Sequence, residues 1–199
     1  MGCDNSNTDN ITEVPPHQLG RTKVGTHLNS PEDLVSWPEF PRDCQSLLSK
    51  HLTKQMWDKY HDKKDAAGVS FKQCIFSGCK NVDSGIGVYA GSEQSYVAFK
   101  DFFDRIIQEY HGHSPDDTHV SDMDAGGLNC PPFSAEGAAL IKSTRIRVGR
   151  NLAAYPLGPG ITDGDRDKVM QAVVEACNSF DGDLQGTFYS LATMSPEDQ

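Results

Sequence analysis

The sequence predicts an α+β chain: a small all-α domain over about residues 41–112, followed at 142–199 by the start of a region that mixes sheet and helix. Three observations predict it. Apolar residues recur at helical spacing between Leu47 and Tyr110. The run Ser143-Thr144-Arg145-Ile146-Arg147-Val148-Gly149-Arg150 alternates polar and apolar residues, as a β-strand does. After Thr162 the spacing becomes helical again. Residues 1–40 read as a flexible arm and 113–141 as an interdomain linker, since both are polar and broken by Pro or Gly.

Composition narrows the function. The chain has 199 residues, 37% of them hydrophobic, enough for one ordinary domain or two small ones. A net charge of -10 excludes general nucleic-acid binding, which needs a broad basic surface to neutralise phosphates. Against that background Lys142, Arg145, Arg147 and Arg150 form a compact positive spot suited to a small anion. The six cysteines lack C-x-x-C spacing and no secretory leader precedes them, which predicts reduced thiols inside the cell. No stretch approaches the ~20 apolar residues of a membrane-spanning helix.

The arm opens Met1-Gly2-Cys3-Asp4-Asn5-Ser6, which satisfies the myristoylation pattern at Gly2 and places Cys3 where a second acyl chain can be added. One myristoyl chain anchors only marginally. Arg21 and Lys23 are the only bases before Arg42, so Cys3 is the expected second signal. Trp37 and Phe40 are expected to pin the end of the arm. Next, Cys44, Leu47, Leu48 and Leu52 follow Asp43 at helical spacing, and Thr53 caps a second short helix carrying Met56, Trp57 and Tyr60. Asp62-Lys63-Lys64-Asp65 reads as a solvated loop. Val69, Phe71, Cys74 and Ile75 predict a helix ending near Gly78, and Ser92 starts another whose stripe of Tyr96, Phe99, Phe103, Ile106, Ile107 and Tyr110 faces the core.

Two stretches carry candidate chemistry. In the strand, Ile146 and Val148 are expected in an apolar layer, which sets Arg145 and Arg147 on the other face about 6–7 Å apart. Paired guanidiniums of that kind grip phosphate oxygens bidentately. An edge strand with solvated arginines is the other reading of the same pattern. Between two helices sits Asp83-Ser84-Gly85-Ile86-Gly87-Val88-Tyr89, where glycines let the backbone approach a ligand and consecutive amides can converge on a carboxylate. A plain turn fits that stretch equally.

Taken together, these stretches resemble the guanidino (phosphagen) kinases, and among them the arginine-specific members. The resemblance runs through Phe40-Pro41-Arg42-Asp43-Cys44-Gln45-Ser46-Leu47-Leu48, Leu52-Thr53-Lys54, Asp83 to Ala90, Ser143 to Arg150, Tyr155-Pro156 and Gly182 to Tyr189. It implies an all-α N-terminal domain followed by the first part of a catalytic domain, an antiparallel sheet with flanking helices that is incomplete in this chain. It further implies that Ser84, Gly85, Ile86, Gly87, Val88 and Tyr89 hold the carboxylate of the guanidino substrate. Ser143, Thr144, Arg145, Ile146 and Arg147 are then the nucleotide-binding segment. The form Ser-Gly-Ile-Gly-Val-Tyr favours L-arginine. The implied reaction is reversible transfer of the γ-phosphoryl group of ATP, with Mg2+ held mainly through the nucleotide. The family's catalytic carboxylate, reactive cysteine and other phosphate-binding arginines match nothing before Gln199, so no catalytic residue is assigned and residues 1–199 alone are expected to be inactive.

The remaining acidic clusters are weighed separately. His111, His113, Asp116, Asp117, His119, Asp122 and Asp124 lack helical ligand spacing and read as linker, with no metal assigned. Asp163, Asp165 and Asp167 resemble a calcium loop, but Lys168 and Val174 stand where its glycine and glutamate belong. Thr162 with Asp165 reads instead as a helix start, and Val169, Met170, Val173, Val174, Cys177 and Phe180 as its core face, partly exposed where later strands are lacking. Two function classes follow: the N-terminal half of an arginine kinase that buffers ATP, or a truncated, non-catalytic relative acting as a membrane-associated adaptor. The expected partners are L-arginine, ATP and ADP, with a second copy or a partner chain completing the catalytic domain. The expected location is cytoplasmic, at the inner face of a plasma or ciliary membrane if the arm is acylated.

Overall fold

The computed structural model describes residues 20–128 and 130–197, so the acylation signal at Gly2 and Cys3 lies outside the described residues. The described residues hold seven α-helices, three short 3-10 helices and a two-stranded parallel sheet. The chain divides into two units, 1–106 with 158–160 and 107–157 with 161–199.

In the first unit the second half of the expected arm is packed rather than free. β1 (Thr22–Lys23) pairs in parallel with β2 (Pro38–Glu39). The turn between them seals on the hydroxyls of Thr22 and Ser36, 2.8 Å apart, and Leu28 and Leu34 are buried. The amide of Gly25 donates to the carbonyl of Cys79 at 2.8 Å, which ties this flap to a helix. The Arg21 guanidinium lies 4.4 Å over the Trp37 ring.

Five helices follow. α1 (Leu47–His51) starts at Ser46, whose Oγ accepts from the Ser49 amide, so the helix begins three residues later than the Asp43 spacing suggested. α2 (Lys54–Tyr60) starts at Thr53 as expected, its Oγ1 accepting from the Met56 amide, and buries Met56, Trp57 and Tyr60. α3 (Phe71–Lys80) carries a Ser70–Gln73 capping box. α3 does not stop at Gly78 but passes through it. α4 (Glu93–Ala98) is capped by Ser92, and α5 (Lys100–His111) begins after a break at Phe99, whose backbone (φ -115°, ψ 32°) leaves the helical region. The expected single stripe is therefore two helices. Phe99, Phe103 and Ile106 are buried with the unforeseen Phe102, while Tyr96 and Tyr110 remain exposed.

Phe71 is the hub of this core. Its ring lies 5.1–5.5 Å from those of Tyr60, Phe99 and Phe102, at tilted or edge-on angles. Such pairs add about 0.5–1.5 kcal/mol each beyond area burial. Residues from α2, α3 and α5, with Phe99 at the break between α4 and α5, thereby share one cluster.

The expected solvated loop holds a buried carboxylate. Asp65 Oδ1 accepts from the amides of Ala67 and Val69, both at 2.9 Å, and Oδ2 accepts from the hydroxyls of Ser92 at 2.7 Å and Ser95 at 2.6 Å. Lys63 and Lys64 are exposed, as a solvated loop requires. Burial raises the Asp65 pKa, yet the Ser95 and Ser92 hydroxyls and the Val69 and Ala67 amides together outweigh it and hold the group below its ordinary 3.8. Beside this network Gly91 and Gly160 meet backbone to backbone: a Cβ on Gly160 would lie 2.3 Å from the Gly91 carbonyl oxygen.

In the second unit, α6 (Ala135–Leu140) and α7 (Asp163–Asn178) bury no residue. The Thr162–Asp165 capping box forms as expected. Met170, Val173 and Phe180 are about half exposed. The expected strand over Ser143–Arg150 is absent: these residues have no regular structure, and Ile146 and Val148 are 85% and 82% exposed instead of lying in an apolar layer. A strand exists only through its partners, and no partner strand stands beside it among the described residues. The regular structure is thus mostly helical; the sheet among the described residues is the parallel pair β1–β2 of the first unit, and the antiparallel sheet expected after residue 142 has no strand among the described residues there. No helix among the described residues is long and apolar enough to cross a membrane.

Replacing Asp65 by Ala strands four donors in a buried site and is expected to cost about 2–4 kcal/mol in urea unfolding. Because the folded pKa is depressed, the contribution of Asp65 is fully present above the ordinary carboxylate pKa and is lost as pH falls through the folded value. Stability measured from neutral down to strongly acid pH should therefore fall less steeply below about pH 4 in Asp65→Asn than in the parent chain.

Candidate functional site

The loop Ser84–Tyr89 leaves α3 through a closed turn. The Asn81 amide caps α3 on the Ser77 carbonyl at 2.9 Å, and the Ser84 amide donates to Asn81 at 3.1 Å. The carbonyls of Gly85 and Ile86 then accept from the first two amides of α1, Leu47 at 3.0 Å and Leu48 at 2.9 Å. Those amides are among the four that a helix start leaves without intrahelical partners. The loop supplies the acceptors. Its far end is fixed by the Tyr89 amide on the Cys74 carbonyl at 2.9 Å.

Gly87 has a φ of +76°, the region that disfavours any Cβ, and it packs on Gly78 of α3. A Cβ on Gly78 would lie 2.2 Å from the Gly87 carbonyl oxygen. This explains why a glycine sits inside α3. Val88 is buried, Ile86 half-buried, and Tyr89 is 45% exposed.

Spending the carbonyls inward leaves the amides. Among the described residues, no acceptor meets the N–H groups of Gly85, Ile86, Gly87 or Val88. Four consecutive unpaired amides on a clamped loop can receive an anion such as a carboxylate.

Cys44 borders this loop, its Sγ 3.3 Å from both the Ser46 hydroxyl and the Val82 carbonyl. Burial raises its pKa, but hydrogen bonds from Ser46 and Ser49 outweigh that and lower it overall. On α3, burial pushes the Cys79 thiol up to about 12.

The second candidate segment is differently placed. Ser143, Thr144, Arg145, Ile146 and Arg147 lie in the second unit, exposed and without regular structure. Neither Arg145 nor Arg147 has an ion-pair partner among the described residues. Sequence reasoning missed Ser46, Gly78 and the Leu47 and Leu48 amides as parts of the loop's frame. A Ser before the Leu-Leu pair and a Gly inside an apolar helix were the available signals.

Comparison with known proteins points to one family. Residues 42–108 match the model of the ATP:guanido phosphotransferase N-terminal domain. The chain is 42% identical over 153 residues to an arginine kinase of Anthopleura japonica and 38% identical over 169 residues to an arginine kinase of Amphioctopus fangsiao. The chain is thus similar to the guanidino kinases. Those alignments cover 76% and 84% of the chain but 21% and 48% of the two relatives, so it spans less than half the length of either. Among solved structures, a lombricine kinase aligns with a TM-score of 0.63 at 31% identity, over 77% of this chain and 42% of that one. The substrate-free duplicated taurocyamine kinase of Schistosoma mansoni aligns with a TM-score of 0.66 at 29% identity, over 79% and 22%. The candidate loop lies wholly inside the matched guanidino kinase domain.

A side chain at Gly87 must adopt the left-handed backbone region and press on Leu48 Cβ at 3.1 Å. Gly87→Ala is expected to cost about 1–3 kcal/mol in chemical unfolding. Gly85→Ala, with open space around its Cβ and no positive φ, should stay within about 0.5 kcal/mol of the parent.

Proposed function

We propose that this chain is the N-terminal half of a kinase that transfers the γ-phosphoryl group of ATP reversibly to L-arginine, buffering ATP. The observation that carries the reading is the run of unpaired amides from Gly85 to Val88, clamped within a guanidino kinase domain. Those amides hold the substrate carboxylate, with Ser84 and Tyr89 at the margins of the same loop. The sequence Ser-Gly-Ile-Gly-Val-Tyr and two relatives named arginine kinase favour arginine. The structural neighbours named for lombricine and taurocyamine make those the competing substrates to test.

Ser143, Thr144, Arg145, Ile146 and Arg147 bind the nucleotide phosphates. Two exposed guanidiniums without ion partners fit that task, since each offers a planar fork for phosphate oxygens. In the transfer, a guanidino nitrogen attacks the γ-phosphorus, the bond from γ-phosphorus to the bridging oxygen breaks, ADP leaves, and the guanidinium loses one proton. Charge builds on the transferring group, and Arg145 and Arg147 neutralise part of it. Mg2+ supplies further charge neutralisation and is held through the nucleotide. Acylation at Gly2 and Cys3 would set the kinase on the inner face of a membrane; the intact mass of protein from its native cell should carry the added acyl groups.

In a protein of the relatives' length that carries this half, arginine should be phosphorylated with a higher kcat/KM than lombricine or taurocyamine. Arg147→Ala there should lower kcat about 100-fold or more, the scale of a lost charge-stabilising donor. An unchanged kcat removes Arg147 from the phosphate grip. Residues 1–199 alone should show no turnover in a coupled ADP-release assay.

A further inference from the structure

We propose that Gly78 is a positioning residue for the substrate loop: the space where its side chain would be is filled by the Gly87 carbonyl, so this position sets the shape of the loop without touching substrate. The inference rests on the reading of Ser84–Tyr89 as substrate-binding, and it extends that site into α3. The geometry leaves little room. A Cβ at 78 would stand 2.2 Å from Gly87 O, 2.5 Å from Gly87 Cα and 2.7 Å from Gly87 C. All three are backbone atoms, so no rotamer change relieves the overlap, and either the loop or the helix must move. The helix is the firmer side. Phe71, Cys74, Ile75 and Cys79 of α3 are fully buried, so displacing α3 disturbs the whole core. The loop yields instead.

Its displacement has a defined consequence. Gly87 follows Gly85 and Ile86, whose carbonyls are bound to Leu47 and Leu48, and precedes Tyr89, bound to Cys74. Lifting Gly87 strains those three hydrogen bonds and shifts the unpaired amides of Gly85 to Val88 from the positions they hold. Gly78 is thereby coupled to substrate affinity.

The test uses the full 199-residue chain, with L-arginine as probe and backbone amide NMR as readout. The parent chain should show slow hydrogen exchange at Leu47, Leu48 and Tyr89, comparable to that of Phe102, and arginine should shift the amides of Gly85 to Val88. Gly78→Ala should speed exchange at those three amides at least 10-fold and weaken the arginine response at least 10-fold, with the core signals of Trp57 and Phe102 retained. Ser77→Ala, the preceding position on α3, should leave the three amides protected. Wild-type protection and arginine response in Gly78→Ala would overturn the proposal. So would fast exchange at Leu47, Leu48 and Tyr89 in the parent chain, a measurement that holds even if the variant does not fold. If the parent ignores arginine while Gly78→Ala still loses protection, the positioning role stands and the substrate reading fails.

Discussion

The helical unit depends on one carboxylate. Asp65 joins two helix starts that are far apart in sequence: its Oδ1 takes the amides that lead into α3, and its Oδ2 takes the two serine hydroxyls that begin α4. No cation is needed. Each oxygen has two donors, which replace the water it gave up. With these helix starts held together, the connection from α3 to α4 is pinned at its far end, and the Phe71 cluster holds α3 itself. The candidate substrate loop lies in that connection. It is presented by fixed elements although it has no regular structure of its own.

Within the loop the polar groups are divided by direction. Carbonyls at Gly85 and Ile86 face α1, and their amides are left for something else. α1 has five residues, too few for an isolated helix to persist in water. It needs the acceptors the loop provides, and the loop needs the donors α1 provides. Neither forms without the other, so loop and helix make one structural unit. Cys44 and Ser46 belong to that unit, because their side chains join the α1 cap to the carbonyl at the start of the loop.

What could be read from the sequence was mostly local. Thr53, Ser92 and Thr162 are caps in the structure because each hydroxyl or its neighbour meets an amide two or three residues away, a relation written in adjacent letters. Gly78 was misread as a helix end because the cause of that glycine, the backbone of Gly87, sits nine positions on and is invisible to periodicity. Asp65 was misread for a similar reason. Two of its four donors come from residues 27 and 30 positions later, and a charged run with two lysines looks like solvent-facing chain until those serines fold over it. Phe102 was legible as well, since Phe99, Phe102, Phe103 and Ile106 fall at i, i+3, i+4 and i+7 and are all buried. The glycines of Ser84–Tyr89 were legible as a tight loop; which polar groups it binds within the fold was not.

Ser143–Arg150 marks the other limit. Alternation of Ile146 and Val148 with Arg145 and Arg147 records an environment, one face apolar and one polar, rather than a conformation. Backbone hydrogen bonds turn such a pattern into a strand, and those must come from neighbouring chain. Here both faces are bathed in solvent and the pattern remains unrealised. The two candidate segments therefore differ in what makes them competent. The loop Ser84–Tyr89 takes its shape from α1 and α3 and is held by contacts already present. The arginine pair has its charge and spacing written in the sequence but takes its geometry from partners outside the segment. A phosphate grip proposed at Arg145 and Arg147 would then form together with the strand that carries it, whereas the loop Ser84–Tyr89 already has its shape.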